Sequence, residues 1–345
     1  IGPDRGLEYT PSLACTHGTA EQGEGPFYNT ATPRRESLLE AGTAGEVLVR
    51  LHVSGVNPSD AKARAGNRPG VTKPAYPRII PHSDGAGVIA AVGAGVNPGR
   101  IGQRVWVWNG QWQRSHGTAA EFIALPAEQA VPLPEGVSFD VGATLGIPGL
   151  TAAQTVFGGG DVAGQTLLIS GGAGAVGHNA VQLAHAAGAE VIATCSAPAM
   201  ERVRAAGARH VFDYADPDLA AQIMAATAGR GVARAIEVEF GQNAALLAEV
   251  MAPNGTIAAY GSGKDMAPTL PFGPYLFKAL KIDITLIYIL PWPAREAAIA
   301  RLHAALEAGT LRPEIAMRLP LADCASAHEA VMTPGRAGAV LLEIG

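Results

Sequence analysis

The sequence predicts an α/β protein of two parts: a doubly wound parallel sheet joined to a smaller β-rich module. Two patterns and the chain length lead there. Up to about residue 125, short apolar segments are punctuated by Gly, Pro and Asn, as in a barrel or sandwich. From about residue 140, apolar runs of strand length alternate with Ala-rich helical periods, the pattern of βαβ units around a parallel sheet. The 345 residues suggest roughly two domains at about 150 residues each.

In the first part, residues 46–56 (EVLVRLHVSGV), 85–92, 104–108 and 120–125 read as strands. In the second, 166–170 is a strand followed by a Gly-rich turn and a helix that Gly188 stops. Strands over 191–195, 210–214, 233–238 and 256–260 follow, separated by helices around 218–228 and 242–252. Residues 281–290 (KIDITLIYIL) predict a sixth strand, because Ile, Thr and Tyr dominate them. A helix over 294–308, a shorter one near 323–332 and a closing strand over 339–344 complete the chain. Residues 1–44 are rich in Gly, Thr, Pro and Glu without a period of 2 or 3.6, and read as a partly irregular arm.

Composition excludes several classes. The chain is 48% hydrophobic and 16% charged, the reverse of a disordered protein. Its net charge of -5, with no basic block, argues against nucleic acid or anionic membranes as partners. The three cysteines, Cys15, Cys195 and Cys324, form no C-x-x-C, so neither a disulfide framework nor a zinc knuckle is available. The apolar stretch 284–290 is far short of the ~20 residues that span a bilayer, and a soluble cytoplasmic protein is expected. Serine hydrolase chemistry lacks a G-x-S-x-G on a strand-to-helix turn.

The most informative motif is Ser170-Gly-Gly-Ala-Gly-Ala-Val-Gly177, a G-x-G-x-x-G formed by Gly172, Gly174 and Gly177 between a strand and a helix. Gly172 permits a tight turn, Gly174 lets a pyrophosphate approach the backbone, and Gly177 lets helix and strand pack closely. Ala175 and Val176 then open a helix whose first N–H groups and dipole attract phosphate. The pattern predicts a dinucleotide. An NAD site usually places an acid about 20 residues after the first Gly, on the ribose 2′-hydroxyl. Here Ala193-Thr194-Cys195-Ser196-Ala197 carries none, and Arg202 and Arg204 follow, which favours a 2′-phosphate and hence NADPH.

Gly55-Val-Asn-Pro-Ser-Asp60, Gly85-Ala-Gly-Val-Ile89, Gly102-Gln-Arg-Val-Trp106, Gly146-Ile-Pro-Gly-Leu-Thr-Ala152 and the Gly174 loop occur in this order. Together they resemble the zinc-independent quinone oxidoreductases of the medium-chain dehydrogenase/reductase superfamily, from about residue 45 to the C-terminus. The resemblance implies a GroES-like substrate domain over 1–128, completed by 291–345, and a Rossmann domain over 129–290. It implies NADPH-dependent hydride transfer to quinones; the same hydride geometry would serve the double bond of an enone, 2-alkenal or haloacrylate. A nucleotide-binding protein without turnover is the reading from another class. By the same resemblance Asn57 lines the pocket as a neutral amide donor. The position five residues on, often Tyr in the family, is Lys62, which would either stabilise an enolate or hydroquinone anion or point into solvent. Thr151 matches the nicotinamide-side threonine, Tyr214 the tyrosine near the adenosine phosphate, and Phe240, Tyr260, Gly261 and Ser262 the turns after later strands. A Lys often found four residues after Ser196 is Met200 here, so a phosphate clamp falls to Ser196, Tyr214 and an arginine, Arg202 foremost.

Zinc-dependent relatives place a Cys in the segment matching 55–60 and a Gly-His-Glu near Pro81-His-Ser-Asp84. No Cys lies between residues 15 and 195, and His82 with Asp84 is too few for a three-ligand catalytic site, so no metal is expected. The segment 281–290 would be the outer edge of the parallel sheet, an aggregation hazard unless covered. Relatives pair this edge with a two-fold mate, and the resemblance implies a homodimer.

Overall fold

The structure, a computed structural model, describes residues 44–67 and 76–345. The arm expected over 1–44 lies outside them but for Ala44. The strands are β1 (Glu46–Val56), β2 (Asp84–Val92), β3 (Arg104–Val107), β4 (Phe122–Pro126), β5 (Ala130–Pro132), β6 (Thr166–Ile169) and β7 (Glu190–Cys195). Then follow β8 (His210–Asp213), β9 (Val232–Glu237), β10 (Met251–Ala259), β11 (Lys281–Ile284), β12 (Ile315–Pro320) and β13 (Ala339–Glu343). The helices are α1 (Pro58–Arg64), α2 (Phe139–Gly142), α3 (Leu150–Phe157), α4 (Ala175–Ala186) and α5 (Met200–Ala205). They continue with α6 (Leu219–Ala226), α7 (Phe240–Val250), α8 (Phe272–Phe277), α9 (Trp292–Glu307) and α10 (Cys324–Met332).

The chain divides into two compact units, one of residues up to Ile147 with Ile315–Gly345, the other Pro148–Glu314. The second unit therefore runs about two dozen residues beyond the 290 expected from sequence, because α9 packs on α3. In the first unit the sheet order is β12-β13-β1-β2-β3-β5, with β4 also on β1. β1 is the spine: it pairs antiparallel with β2, β4 and β13, which is why its eleven residues are buried on nearly every position rather than alternately. The pairing with β13 brings the C-terminal segment into this sheet, where α10 lies against α1.

The second unit holds a six-stranded parallel sheet in the order β11-β10-β9-β6-β7-β8. Its inner strands are apolar on both faces, as a sheet covered by helices on both sides requires. Leu168, Ile192, Ile223, Val232, Leu247 and Ile257 form its core. The strand order reverses between β6 and β9, the switch point outside which nucleotides bind in such sheets.

The sixth strand is shorter than its composition suggests. β11 is four residues long, and after Thr285, whose N–H reaches the Ala259 carbonyl, the chain coils through a 3-10 turn into Pro291. The cause lies outside the segment: the buried Arg295 guanidinium of α9 donates to the Ile287 carbonyl at 2.6 Å, and the Ile287 side chain is buried rather than presented on a strand face. Among the described residues no helix is long and apolar enough to cross a membrane.

Candidate active site

In the second unit, β6 delivers the chain to the Gly-rich turn and α4 leaves it. The left-handed residue of the turn is Gly171 (φ +65°), one position earlier than Gly172, to which the sequence pattern gives the turn. Gly172 is instead packed against the sheet, where a Cβ would meet the Ala193 Cβ at 3.0 Å. Gly177 has the closest approach: a Cβ would lie 2.2 Å from the Gly171 carbonyl oxygen. Gly174 caps α4, is exposed, and has no atom nearer than 3.4 Å to such a Cβ. Helix and strand thus leave no room for a side chain at Gly177, while the outer side of Gly174 stays open. Ala175 and Val176 form the first turn of the twelve-residue α4, where N–H groups lack helical acceptors. Backbone donors, a dipole and an open glycine are what a pyrophosphate needs.

The neighbouring strand ends supply the rest. The Tyr214 N–H donates to the Cys195 carbonyl at 3.1 Å, which sets Tyr214, largely exposed, beside Ser196 at the ends of β8 and β7. Arg202 is engaged elsewhere than its spacing suggests: its guanidinium pairs with Glu314 and donates to the Ala173 carbonyl at 2.8 Å, bracing the Gly-rich loop. Arg204 pairs with Glu201 at 3.5 Å. Thr151 is buried in the first turn of α3. The Phe240 N–H donates to the Gly261 carbonyl at 3.0 Å, the Tyr260 N–H to the Glu237 carbonyl at 3.0 Å, and the Ser262 hydroxyl oxygen accepts from the Gly241 N–H at 2.8 Å. These bonds tie the turns after β9 and β10 together.

Sequence reasoning misses Glu237, the last residue of β9. Its fully buried carboxylate accepts from the Ser170 hydroxyl (2.5 Å), the Glu239 N–H (2.5 Å) and the Asn243 amide (3.0 Å). Burial raises its pKa and these three donors oppose the rise. It clamps the ends of β6 and β9 at the switch point. The only sequence signal is an acid closing an apolar strand.

In the first unit Asn57 caps α1, with Pro58 at the first helical position and the Asp60 carboxylate accepting the Asn57 N–H at 2.8 Å. The Asn57 side-chain amide donates to Asp84 Oδ2 at 2.8 Å, and the Ile147 N–H reaches the same oxygen at 2.9 Å. Asp84 is fully buried. Burial pushes its carboxyl well above the usual range, the Ile147 N–H opposes this, the charge of Asp60 adds to it, and the Asn57 amide opposes it. Gly146 stands where a Cβ would come within 2.0 Å of Asp84 Oδ1, and a Cβ on Gly55 would lie 3.1 Å from the Asp84 Cβ. Two of the sequence motifs, 55–60 and 146–152, therefore converge on one carboxyl group to which the sequence assigns no role. Lys62 does not join them; it lies on the exposed side of α1.

His82 is a buried, hydrogen-bonded residue with a left-handed backbone (φ +76°), held by the Thr118 N–H on its carbonyl at 3.0 Å. A chain of hydrogen bonds runs through it. Arg64 Nη1 lies 3.3 Å from His328 Nδ1, His328 Nε2 2.7 Å from His82 Nε2, His82 Nδ1 2.9 Å from Ser54 Oγ, and Ser54 Oγ 2.9 Å from Thr118 Oγ1. The Thr118 hydroxyl donates to the Asp84 carbonyl at 2.6 Å. Arg64 can only donate and the carbonyl can only accept, so the direction of every bond follows. Neutral His328 carries its proton on Nε2 and neutral His82 on Nδ1. Burial is the main cause that keeps both imidazoles neutral, lowering His328 to about 4 and His82 well below its ordinary value. Cys324 and His328 thus join His82, a gathering invisible in the sequence because 246 residues separate the two histidines.

The comparisons with known proteins agree with this architecture. Residues 43–135 match the alcohol dehydrogenase GroES-like domain family and residues 175–303 the zinc-binding dehydrogenase family. Quinone oxidoreductase of Rattus norvegicus is 30% identical over 88% of this chain and 91% of its own, and that of Homo sapiens 31% identical over 83% and 85%. Among solved structures, a quinone oxidoreductase of Pseudomonas syringae pv. Tomato superposes with a TM-score of 0.75 at 26% identity, covering 88% of this chain and 93% of that one. A 2-haloacrylate reductase does so with a TM-score of 0.76 at 25% identity, covering 89% and 93%. A mycobacterial protein complexed with NADPH reaches a TM-score of 0.75 at 26% identity, covering 87% and 92%. With a curated relative matched over nearly the whole of both chains, this chain is an oxidoreductase that belongs to the quinone oxidoreductase family of the medium-chain dehydrogenase/reductase superfamily.

Proposed function

We propose that the protein reduces quinones by hydride transfer from NADPH without a metal. The observation that carries the cofactor choice is the acid-free end of β7, with Ser196 and Tyr214 side by side where a carboxylate would otherwise hold a 2′-hydroxyl. NADPH fits the residues present: Gly174, Ala175 and Val176 would hold the pyrophosphate, Ser196 and Tyr214 the 2′-phosphate, and Thr151 with Tyr260, Gly261 and Ser262 the nicotinamide half. Arg202 contributes by fixing the Gly-rich loop, its charge shared with Glu314.

NADPH would supply the hydride; the chain supplies binding, orientation and electrostatics. Asn57 uses one amide N–H on Asp84 and has a second for the acceptor's carbonyl oxygen, where negative charge develops. Metal independence is supported by the groups bonded to Asn57, which among the described residues are the carboxyls of Asp60 and Asp84 and no thiolate. The 2-haloacrylate reductase among the structural relatives favours a second reading, reduction of an activated carbon–carbon double bond.

The test is oxidation of NADPH and NADH, followed by loss of nicotinamide absorbance, with 1,4-benzoquinone, 9,10-phenanthrenequinone and 2-cyclohexenone. Quinone turnover with NADPH, absent from a folded Gly174→Val variant, is expected. Turnover of the enone alone would replace the first reading with the second, and no turnover with any acceptor would defeat both.

A further inference from the structure

The surroundings of Asp84 are lopsided. Oδ2 accepts two N–H groups, from Asn57 and Ile147, while Oδ1 is buried without a hydrogen-bond partner. The space around Oδ1 is closed by Gly146, the residue whose missing side chain makes room for it. Among the described residues no cation is bonded to the carboxyl, and the charge on α1 that acts on it is that of another acid, Asp60. The backbone of Asp84 is held independently, since its carbonyl ends the hydrogen-bond chain from Arg64 through His328, His82, Ser54 and Thr118, in which both histidines are neutral. A carboxylate would spread half its charge onto Oδ1, where nothing solvates it. A carboxylic acid with its carbonyl at Oδ2 satisfies both incoming N–H groups and puts only a neutral hydroxyl at Oδ1.

We propose that Asp84 is held as a neutral carboxylic acid and is the positioning residue for Asn57, fixing the amide so that its second N–H faces the acceptor without placing a negative charge behind it. This rests on the reading of Asn57 as the acceptor's hydrogen-bond donor. The neutrality matters because hydride transfer to a conjugated carbonyl builds negative charge on the oxygen that Asn57 would bind. An anion 2.8 Å behind that amide would oppose it in a site of low dielectric. Ionisation of Asp84 at alkaline pH should therefore slow turnover. The histidines near it, His82 and His328, are neutral throughout the alkaline range and produce no such limb.

The experiment compares Asp84→Asn and Asp84→Ala with the wild type in the full chain. The infrared difference between wild type and Asp84→Asn at neutral pH should contain the carbonyl stretch of one protonated carboxylic acid; the subtraction removes the contribution of buried Glu237. In kinetics, Asp84→Ala should lose roughly ten- to a hundredfold in kcat across the pH range, because the Asn57 amide is no longer held. Asp84→Asn should rescue most of that loss and abolish the alkaline fall, its amide oxygen accepting the same two N–H groups. Absence of the acid band overturns the neutral state while leaving Asn57 untouched. An Asp84→Asn variant as impaired as Asp84→Ala overturns the positioning role. An Asn57→Ala variant with wild-type kcat defeats the reading of Asn57 and the positioning role with it, whatever the band shows.

Discussion

Two neutral imidazoles facing each other through their Nε2 atoms at 2.7 Å make a bond that tolerates one proton and not two. A proton added to His82 at Nε2 makes both facing nitrogens donors, and one added to His328 at Nδ1 opposes the Arg64 guanidinium, so protonating either ring breaks the chain of bonds and ties the stability of the β-rich unit to pH. The sign follows from the folded values. Burial depresses both, His328 to about 4 with the Arg64 charge as a second cause, and His82 well below 6.5 with the His328 charge as its second cause. In the unfolded chain each takes up a proton near 6.5. Between those values the unfolded state binds more protons, so stability is fully present above about pH 6.5 and drains away as pH falls toward about 4. For His328 alone the shift corresponds to about 3 kcal/mol once the window is crossed. Unfolding free energies from urea titrations at about pH 7.5 and about pH 5 should therefore differ by on the order of 2 kcal/mol in the wild type. The His82→Gln/His328→Gln double variant, less stable at neutral pH, should lose less than half as much on acidification. Equal losses in the two proteins would refute the assignment of the effect to this pair.

Among the elements, β11 departs furthest from its sequence and has most to say about assembly. We propose that the protein is a homodimer through this edge. β11 closes one side of the parallel sheet with only four residues, yet the surface around it is apolar: Ile284 is 79% exposed, Phe277 89%, Phe272 68% and Ile289 64%. Exposed apolar side chains on and near an open strand edge call for cover, and a two-fold mate would cover them isologously. The structure changes which substitution tests this. Ile287 is buried, so a lysine there would unfold the chain; Ile284→Lys and Leu286→Lys place the charge on exposed positions. These variants should scatter light as folded monomers at micromolar concentration, where the wild type scatters as a dimer, and a wild-type monomer would sink the proposal. The same segment shows how far elements are legible in a sequence. β1 and β7 are readable because their apolar runs are determined locally, as is α4 through its glycines. The end of β11 is set by Arg295, a residue of the next helix, and β12 escapes reading because most of its side chains are exposed on a strand at the sheet's margin. In the candidate site the Gly-rich loop carries its chemistry in its own spacing. Asp84, Glu237 and His328 do not, since their meaning comes from partners 27 to 246 residues away.

At the scale of the whole molecule, the two units have separate cores, but the β-rich unit is discontinuous and encloses the other in sequence, so the chain cannot complete its first sheet until β13 is made. Ligand binding should therefore register as a gain in stability of the nucleotide unit, with no metal entering the linkage. A ligand at about 100 times its Kd adds about 2.7 kcal/mol to the state that binds it, which in a unit of this size moves Tm by roughly 5–11 °C. NADPH should raise the calorimetric Tm by this order, and NADH at the same concentration by much less, because Ser196 and Tyr214 offer hydroxyls to a phosphate and no carboxylate to a ribose. Gly174→Val should erase the rise while keeping the wild-type Tm without nucleotide, since a Cβ there meets nothing closer than 3.4 Å within the fold and would point into the path proposed for the phosphates. Exhaustive chelation should move neither Tm nor turnover. A larger rise with NADH would reverse the cofactor assignment. About one equivalent of zinc by elemental analysis, with turnover lost on its removal, would overturn metal independence.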